Sequence, residues 1–226
     1  MKIETLELAG LTTRIVGSGP VTAVLCHGFG APGDDLVALA QFIKAPNTRF
    51  VFPAAPIELG GLYGDARAWW RLDLQKLESD LRTGALRDRR NEVPEGLAEA
   101  RAKVSALIDE LKVDPGKLVL GGFSQGAMIS LDVALHRDVA PAGLALMSGT
   151  LLNEVEWEPR FSKLSGVPVV MSHGKGDPLL PFAISQDLRD RLTGAGANVD
   201  WIEFMGGHEI PPPVLDGVGR LLRSLA

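Results

Sequence analysis

The chain has 226 residues, 46% of them hydrophobic, and a formal charge of −5. At that size a folded chain buries roughly 70% of its unfolded surface, so it needs no disulfide or metal to hold a core, and its single cysteine, Cys26, forms no internal bridge. The acidic balance argues against a nucleic-acid partner, no apolar run reaches the ~20 residues of a membrane-spanning helix, and the opening MKIETLELAG lacks the apolar stretch of a secretory signal. The expectation is one domain over 1–226, cytoplasmic, without stable membrane insertion.

The predicted elements alternate. ETLELAGLTTRIVG (4–17) carries no helical pattern and reads as an antiparallel hairpin at a sheet edge. VTAVLC (21–26) reads as a strand, DDLVALAQFIK (34–44) as a helix and RFVFPA (49–54) as a strand. From 57 to 94 the rhythm breaks: the stretch holds Gly60, Gly61, Gly64, the pair Trp69–Trp70 and the charged run LRDRRNE, which reads as a solvated face. The helix over 95–112 places Leu97, Ala100, Val104, Leu107, Ile108 and Leu111 on one face. KLVLGGF (117–123), AGLALMS (142–148), GVPVVMS (166–172) and NVDWIEF (198–204) are strands, and 126–137, 182–196 and 213–225 are helices. Strands alternating with helices specify an α/β fold with a mostly parallel sheet covered on both faces.

Gly122-Phe123-Ser124-Gln125-Gly126 falls where a strand meets a helix. This is the G-x-S-x-G pattern of a nucleophile elbow, in which a sharp turn exposes a serine and small neighbours let strand and helix approach. A helix-capping serine is the plainer reading of Ser124 alone. A serine hydroxyl needs a base to take its proton, and that base needs a carboxylate to orient it. Of the histidines after Ser124, His136 lies at the far end of the elbow helix, and His173 has too little chain before it to supply an acid from an intervening strand. His208, in the loop after the last strand, and Asp177, just past the preceding strand, complete the order Ser…Asp…His at the strand ends where α/β folds place their sites. Taken singly, Asp177 is equally a turn residue before Pro178, and His208 a loop residue before the last helix.

CHGFGAPGDD (26–35) contains G-x-G-x-x-G, the spacing of a dinucleotide loop. Asp34 and Asp35 would repel a pyrophosphate there, Pro32 removes a backbone donor, and no acid ends the next strand to hold a ribose. An oxyanion loop fits better, with the backbone N–H groups of Phe29 and Gln125 as donors, His27 bonding loop backbone and Cys26 buried in its strand. His208-Glu209 begins like a zinc motif, but position 212 is proline and the second histidine is missing.

With LCHGFGAPGDDL, GGFSQGAMISL, HGKGDPLLPF and GGHEIPP in order, the chain resembles the carboxylesterase/phospholipase branch of the α/β-hydrolase superfamily, which includes acyl-protein thioesterases. The resemblance covers nearly the whole chain. It implies an α/β-hydrolase fold without a large lid domain, and ester or thioester hydrolysis without a cofactor or metal. It assigns the triad to Ser124, Asp177 and His208, and the oxyanion donors to Phe29 and Gln125. Two places depart from the family: Ala31 stands where an acid often follows the second glycine, and Trp69-Trp70-Arg71 replaces a common Trp-Phe-Asp run. The expected acyl pocket draws on Leu62, Tyr63, Trp69, Trp70 and Leu179, with Leu151 and Leu152 nearby. The reading is a serine carboxylesterase acting on small esters of short to medium chain, as monomer or homodimer. A lysophospholipase or acyl-protein thioesterase with the same triad is the alternative, and a non-catalytic binding protein on the same fold a further one.

Overall fold

The β-branched and apolar runs pair into one sheet. In the computed structural model, which describes residues 1–85 and 88–226, β1 (Ile3–Leu8) and β2 (Leu11–Val16) are followed by β3 (Val21–Cys26) and β4 (Thr48–Pro53). The short strands β5 (Ile57–Glu58) and β6 (Arg67–Ala68) form a separate ribbon. β7 (Leu118–Phe123), β8 (Gly143–Met147), β9 (Pro168–Gly174) and β10 (Asn198–Phe204) complete the set. The eight-stranded sheet runs β1-β2-β4-β3-β7-β8-β9-β10. It is antiparallel from β1 through β2 to β4 and parallel from there on. β1 and β2 form the expected edge hairpin, closed by Ala9 and Gly10, both at positive φ as a two-residue hairpin turn of matching twist requires.

The helices are α1 (Leu74–Thr83), α2 (Leu97–Leu111), α3 (Gln125–His136), α4 (Glu154–Trp157), α5 (Phe182–Gly194) and α6 (Pro212–Ser224). Buried side chains of α2, α3 and α5 pack on one face of the sheet, and those of α6 and the 34–44 segment on the other. This is the α/β-hydrolase arrangement. α3 is buried along almost its whole length, so its sequence carries little amphipathic contrast. Among the described residues no helix is long and apolar enough to cross a membrane.

Three details differ from the sequence reading. The expected helix over 34–44 is only a 3-10 helix, Val37–Gln41. Its bonds run mostly three residues back (Val37 to Asp34, Leu39 to Leu36, Phe42 to Leu39), a tighter coil that buries Leu36, Val37 and Ile43 and returns the chain to β4. The 57–94 stretch contains α1, where leucine recurs at 74, 77 and 81 and Asp73 Oδ1 accepts the Lys76 N–H at 3.0 Å as an N-cap. The described part of the charged run, 88–92, is only partly solvated, with Asp88 and Asn91 exposed and Arg89, Arg90 and Glu92 half-buried. Leu86 and Arg87 lie outside the described residues, but Arg90 bridges Asp88 and Asp187, each at 2.7 Å, and the carbonyls of Arg90 and Glu92 accept the N–H groups of Glu154 and Asn153. The run is a strap tied to α5 and to the start of α4.

Cys26 ends the central strand β3 without solvent contact, and burial pushes its thiol up to about 12, against a smaller opposing effect from Ser130. At pH 8 about one thiol in ten thousand is then ionised. The folded protein is expected to resist iodoacetamide at pH 8 and to take one label per chain after denaturation, read by mass spectrometry.

Candidate active site

β7 ends at Phe123 and α3 begins at Gln125, so Ser124 alone turns the chain, with φ 55° and ψ −118°. The Ser124 N–H donates to the Met147 carbonyl of β8 at 2.9 Å, fixing the corner to the sheet. The flanking glycines are dictated by contact. A Cβ on Gly122 would lie 2.2 Å from the Cys26 carbonyl oxygen, and one on Gly126 would lie 1.9 Å from the same atom. No L side chain fits at either place without parting β3 from α3.

The loops after β9 and β10 are zipped together by backbone bonds, Lys175 N–H to Phe204 O and Gly176 N–H to Gly206 O, each 2.9 Å. This brings Asp177 and His208 together: His208 Nδ1 stands 2.6 Å from Asp177 Oδ2. The other carboxylate oxygen accepts the N–H groups of Leu179 at 2.8 Å and Leu180 at 2.9 Å. Burial pushes the Asp177 carboxyl up, but hydrogen bonds from His173 and His208, the His208 charge and the Leu180 N–H outweigh it and hold the group well below the usual carboxylate range. With Nδ1–H committed to Asp177, the His208 Nε2 is free to accept a proton. Ser124 Oγ holds no hydrogen bond among the described residues; such bonds in ligand-free sites are often long and tighten around substrate.

His173, set aside in the sequence as a base, stands beside Asp177 in a role that sequence reasoning missed. It is fully buried, and its Nε2 lies 3.2 Å from Asp177 Oδ2 and 3.1 Å from the Leu180 carbonyl. Its position four residues before Asp177, where β9 gives way to the loop, was the available signal.

The first loop is held by buried polar ties. His27 Nδ1–H donates to the Gly28 carbonyl at 2.8 Å, while Nε2 accepts the Ala55 N–H at 3.0 Å. The Gly28 carbonyl and the Phe29 N–H belong to one planar trans peptide, so anchoring the oxygen turns the N–H the opposite way. Trp69 Nε1–H donates to the His27 carbonyl at 2.9 Å. The Gln125 side chain clamps the same segment, accepting the Trp69 N–H at 2.8 Å and donating to the Trp70 carbonyl at 2.9 Å. The Phe29 and Gln125 N–H groups have no acceptor among the described residues, and both residues line the cleft that holds Ser124 and His208. Two unpaired N–H groups beside a serine can bind a developing oxyanion.

That cleft, of about 170 Å³, is predominantly apolar. Trp70, Leu152 and Leu179 line it, as expected, and Leu72, Met128 and Leu180 add to it. Trp69 does not line it; its indole is buried in the tie to His27. Leu151 is core. Leu62 and Tyr63 are also displaced from the expected pocket: they sit in the turn joining β5 to β6, with Leu62 fully exposed, because Gly60, Gly61 and Gly64 carry the tip outward. Away from the cleft, Asp132, His136 and Glu156 come close enough to suggest a metal site. The Arg101 guanidinium already occupies their centre, 2.6 Å from His136 Nε2 and 3.4 Å from Asp132 Oδ1, which makes the cluster an ion-pair network.

The phospholipase/carboxylesterase family model matches residues 18–225. The chain belongs to the phospholipase/carboxylesterase family. Acyl-protein thioesterase 1 of Gibberella zeae is 29% identical over 96% of each chain, and acyl-protein thioesterase 1 homolog 1 of Dictyostelium discoideum is 27% identical over 95% of this chain and 94% of that one. The crystal structure of esterase PE8 superposes over the whole of both chains with a TM-score of 0.78 and 27% identity. That of Zea mays acyl-protein thioesterase 2, 24% identical over 94% of this chain and 98% of that one, has the same fold at a TM-score of 0.69. A phospholipase/carboxylesterase family member with these relatives is a serine hydrolase of esterase type.

Burial lowers the His27 pKa, only partly offset by its bond to Gly28, so the folded state holds the ring neutral. Its contribution to stability is complete above the unfolded value of about 6.5 and is lost as pH falls through the lower folded value. The ionised Asp177 contributes above about 3.9 and loses that contribution only as pH falls further. Urea midpoints are therefore expected to be level between about pH 7 and pH 8, to decline as pH falls from about 6.5, and to decline again above about pH 9, where the Cys26 thiol ionises in the unfolded chain and not in the folded one. His27→Gln is expected to flatten the first decline and leave the steeper one below pH 4.

Proposed function

We propose that the protein is a serine carboxylesterase acting on short- to medium-chain carboxylic esters through an acyl-enzyme. The observation that carries this reading is the 2.6 Å contact between His208 and Asp177 beside an apolar cleft that also holds Ser124. Ser124 Oγ attacks the carbonyl carbon while His208 Nε2 takes its proton, and Asp177 holds the imidazole tautomer and stabilises the imidazolium. The Phe29 and Gln125 N–H groups take the charge that develops on the carbonyl oxygen. The tetrahedral adduct collapses, and His208 returns the proton to the departing alcohol. Water, deprotonated by the same histidine, then frees the acid and regenerates Ser124. Trp70, Leu152 and Leu179 supply the apolar walls for the chain of the ester. His173 acts through Asp177, as a positioning residue. The substrate is a small molecule, and residues 1–226 act as one α/β-hydrolase domain, as monomer or homodimer.

A second reading is supported by the names of the curated relatives: a thioesterase that removes acyl groups from proteins, with the same three residues. A matched S-acyl and O-acyl pair would separate the two. A thioester preference above about tenfold in kcat/KM favours the second.

The test is hydrolysis of p-nitrophenyl esters from acetate to palmitate. Ser124→Ala is expected to lower kcat by about 10⁴-fold or more, as does loss of a serine nucleophile elsewhere. Asp177→Asn is expected to lower it by about 10⁴-fold. A maximum between butyrate and octanoate supports the short-chain reading; a steady rise to palmitate overturns it, and undiminished turnover by Ser124→Ala overturns the nucleophile.

A further inference from the structure

The apolar cleft does not end at Leu72 and Pro94. These residues, with Arg89 and Glu92, form a wall shared with a second depression of about 350 Å³, whose remaining lining is Arg71, Asp73, Lys76 and Val93. The composition changes across that wall, from apolar around Ser124 to charged beyond Leu72. Three cations and two carboxylates line the groove. Arg89 is used internally, its Nη1 lying 3.1 Å from Glu92 Oε2. Asp73 is engaged at the N-terminus of α1, accepting the Lys76 N–H at 3.0 Å, where helix amides favour a negative charge. Arg71 and Lys76 remain: both are exposed, and neither side chain makes a hydrogen bond or ion pair among the described residues. Asp35, the other acid on the cleft wall, comes from the loop that carries Phe29.

An uncharged chain that fills the cleft and passes Leu72 enters this groove and gains nothing from its cations. A chain ending in an anion there gains charge-assisted hydrogen bonds. We propose that the site takes an ester whose chain carries a carboxylate at the end remote from the scissile bond, bound by Arg71 and Lys76. This rests on the esterase reading and names its substrate class. The anion belongs either to the acyl half or to the alcohol half of the ester, according to which half fills the cleft.

The experiment compares wild type with the double variant Arg71→Ala/Lys76→Ala. One arm uses monoethyl esters of dicarboxylic acids from butanedioate to decanedioate against ethyl esters of the matching monoacids. The other uses the acetate ester of 8-hydroxyoctanoic acid against octyl acetate. In the arm whose charged half fills the cleft, the charged-to-neutral ratio of kcat/KM is expected to fall about tenfold in the double variant. It is also expected to peak at one chain length in the diacid series if the acyl half is the one, and to shrink in 0.5 M salt. A ratio that the double variant leaves unchanged in both arms, while p-nitrophenyl butyrate is still hydrolysed, overturns the anion site and leaves the esterase reading standing. If no ester is hydrolysed, the esterase reading fails, and calorimetry with Ser124→Ala decides this one. Binding of monoethyl octanedioate that weakens about tenfold when Arg71→Ala/Lys76→Ala is added supports the site. Undetectable binding, or binding that does not weaken, overturns it.

Discussion

The carbonyl of Cys26 lies so close to α3 that neither Gly122 nor Gly126 has room for a side chain. Everything at the site depends on that approach. Because β3 and the start of α3 touch, the loop leaving β3 must pass directly beside the serine that begins α3. The proposed oxyanion donors, Phe29 from one segment and Gln125 from the other, are neighbours for the same reason. The corner residue is left at φ 55°, a conformation that costs an L residue of order 1–3 kcal/mol. Pairing of Ser124 N–H to β8 and the burial of α3 on all sides hold it there.

The second constraint is polar. His27, Trp69 and Gln125 are all buried, and each ties backbone of another segment, His27 through Nε2 while its Nδ1–H bonds the neighbouring Gly28 carbonyl. A buried polar group without a partner costs a few kcal/mol, so each tie specifies one arrangement of loop and strap against many. Arg67 extends the set: its backbone exchanges hydrogen bonds with Gly30 and Ala31, and its guanidinium donates to the Ala55 carbonyl and to Glu58. The β5–β6 ribbon thus acts as a brace for the first loop, while its tip, with Leu62 and Tyr63, stands clear of the cleft.

This division explains what could be read from the sequence. Periodicity located the other strands of the large sheet and the four long helices, because most of them bury a regular face or are buried throughout, whereas β1, exposed along nearly its whole length, was legible only as half of a hairpin without helical spacing. The elbow, Asp177 and His208 were legible because chemistry fixes their order and their place at strand ends. The segments from 34 to 44 and from 57 to 94 were misread, and both are governed by tertiary contacts. Over 34–44 the apolar spacing suits an α-helix, but the short return to β4 imposes a tighter coil. In LRDRRNE, composition suggests solvent, yet Arg90 is drawn inward by Asp187, nearly a hundred residues away. Trp69 and Trp70 are adjacent and chemically identical; only the partners, His27 for one and the cleft for the other, give them different work. His173 was set aside as a base and reappears as a hydrogen-bonding partner of Asp177, the proposed catalytic acid, a role that spacing to other strands does not reveal.

α3 is pinned at both ends, and its far end bears on the cleft as well. Asp132 is fully buried near its C-terminus; burial pushes the carboxyl up, against the Trp157 indole N–H at 2.8 Å and the Arg101 guanidinium. A buried carboxylate of this kind adds little net stability, since its desolvation roughly cancels its contacts. Its consequence is register: it joins α3 to α2 through Arg101 and to α4 through Trp157. α4 begins directly after Leu152 and Asn153, and the Asn153 N–H holds the Glu92 carbonyl. The chain of contacts therefore runs from the end of the elbow helix to the cleft wall shared by Leu152, Arg89 and Glu92. The same helix that presents Ser124 at one end sets, through the buried hydrogen bond from Trp157 to Asp132 at the other, the position of the wall against which a substrate chain would lie.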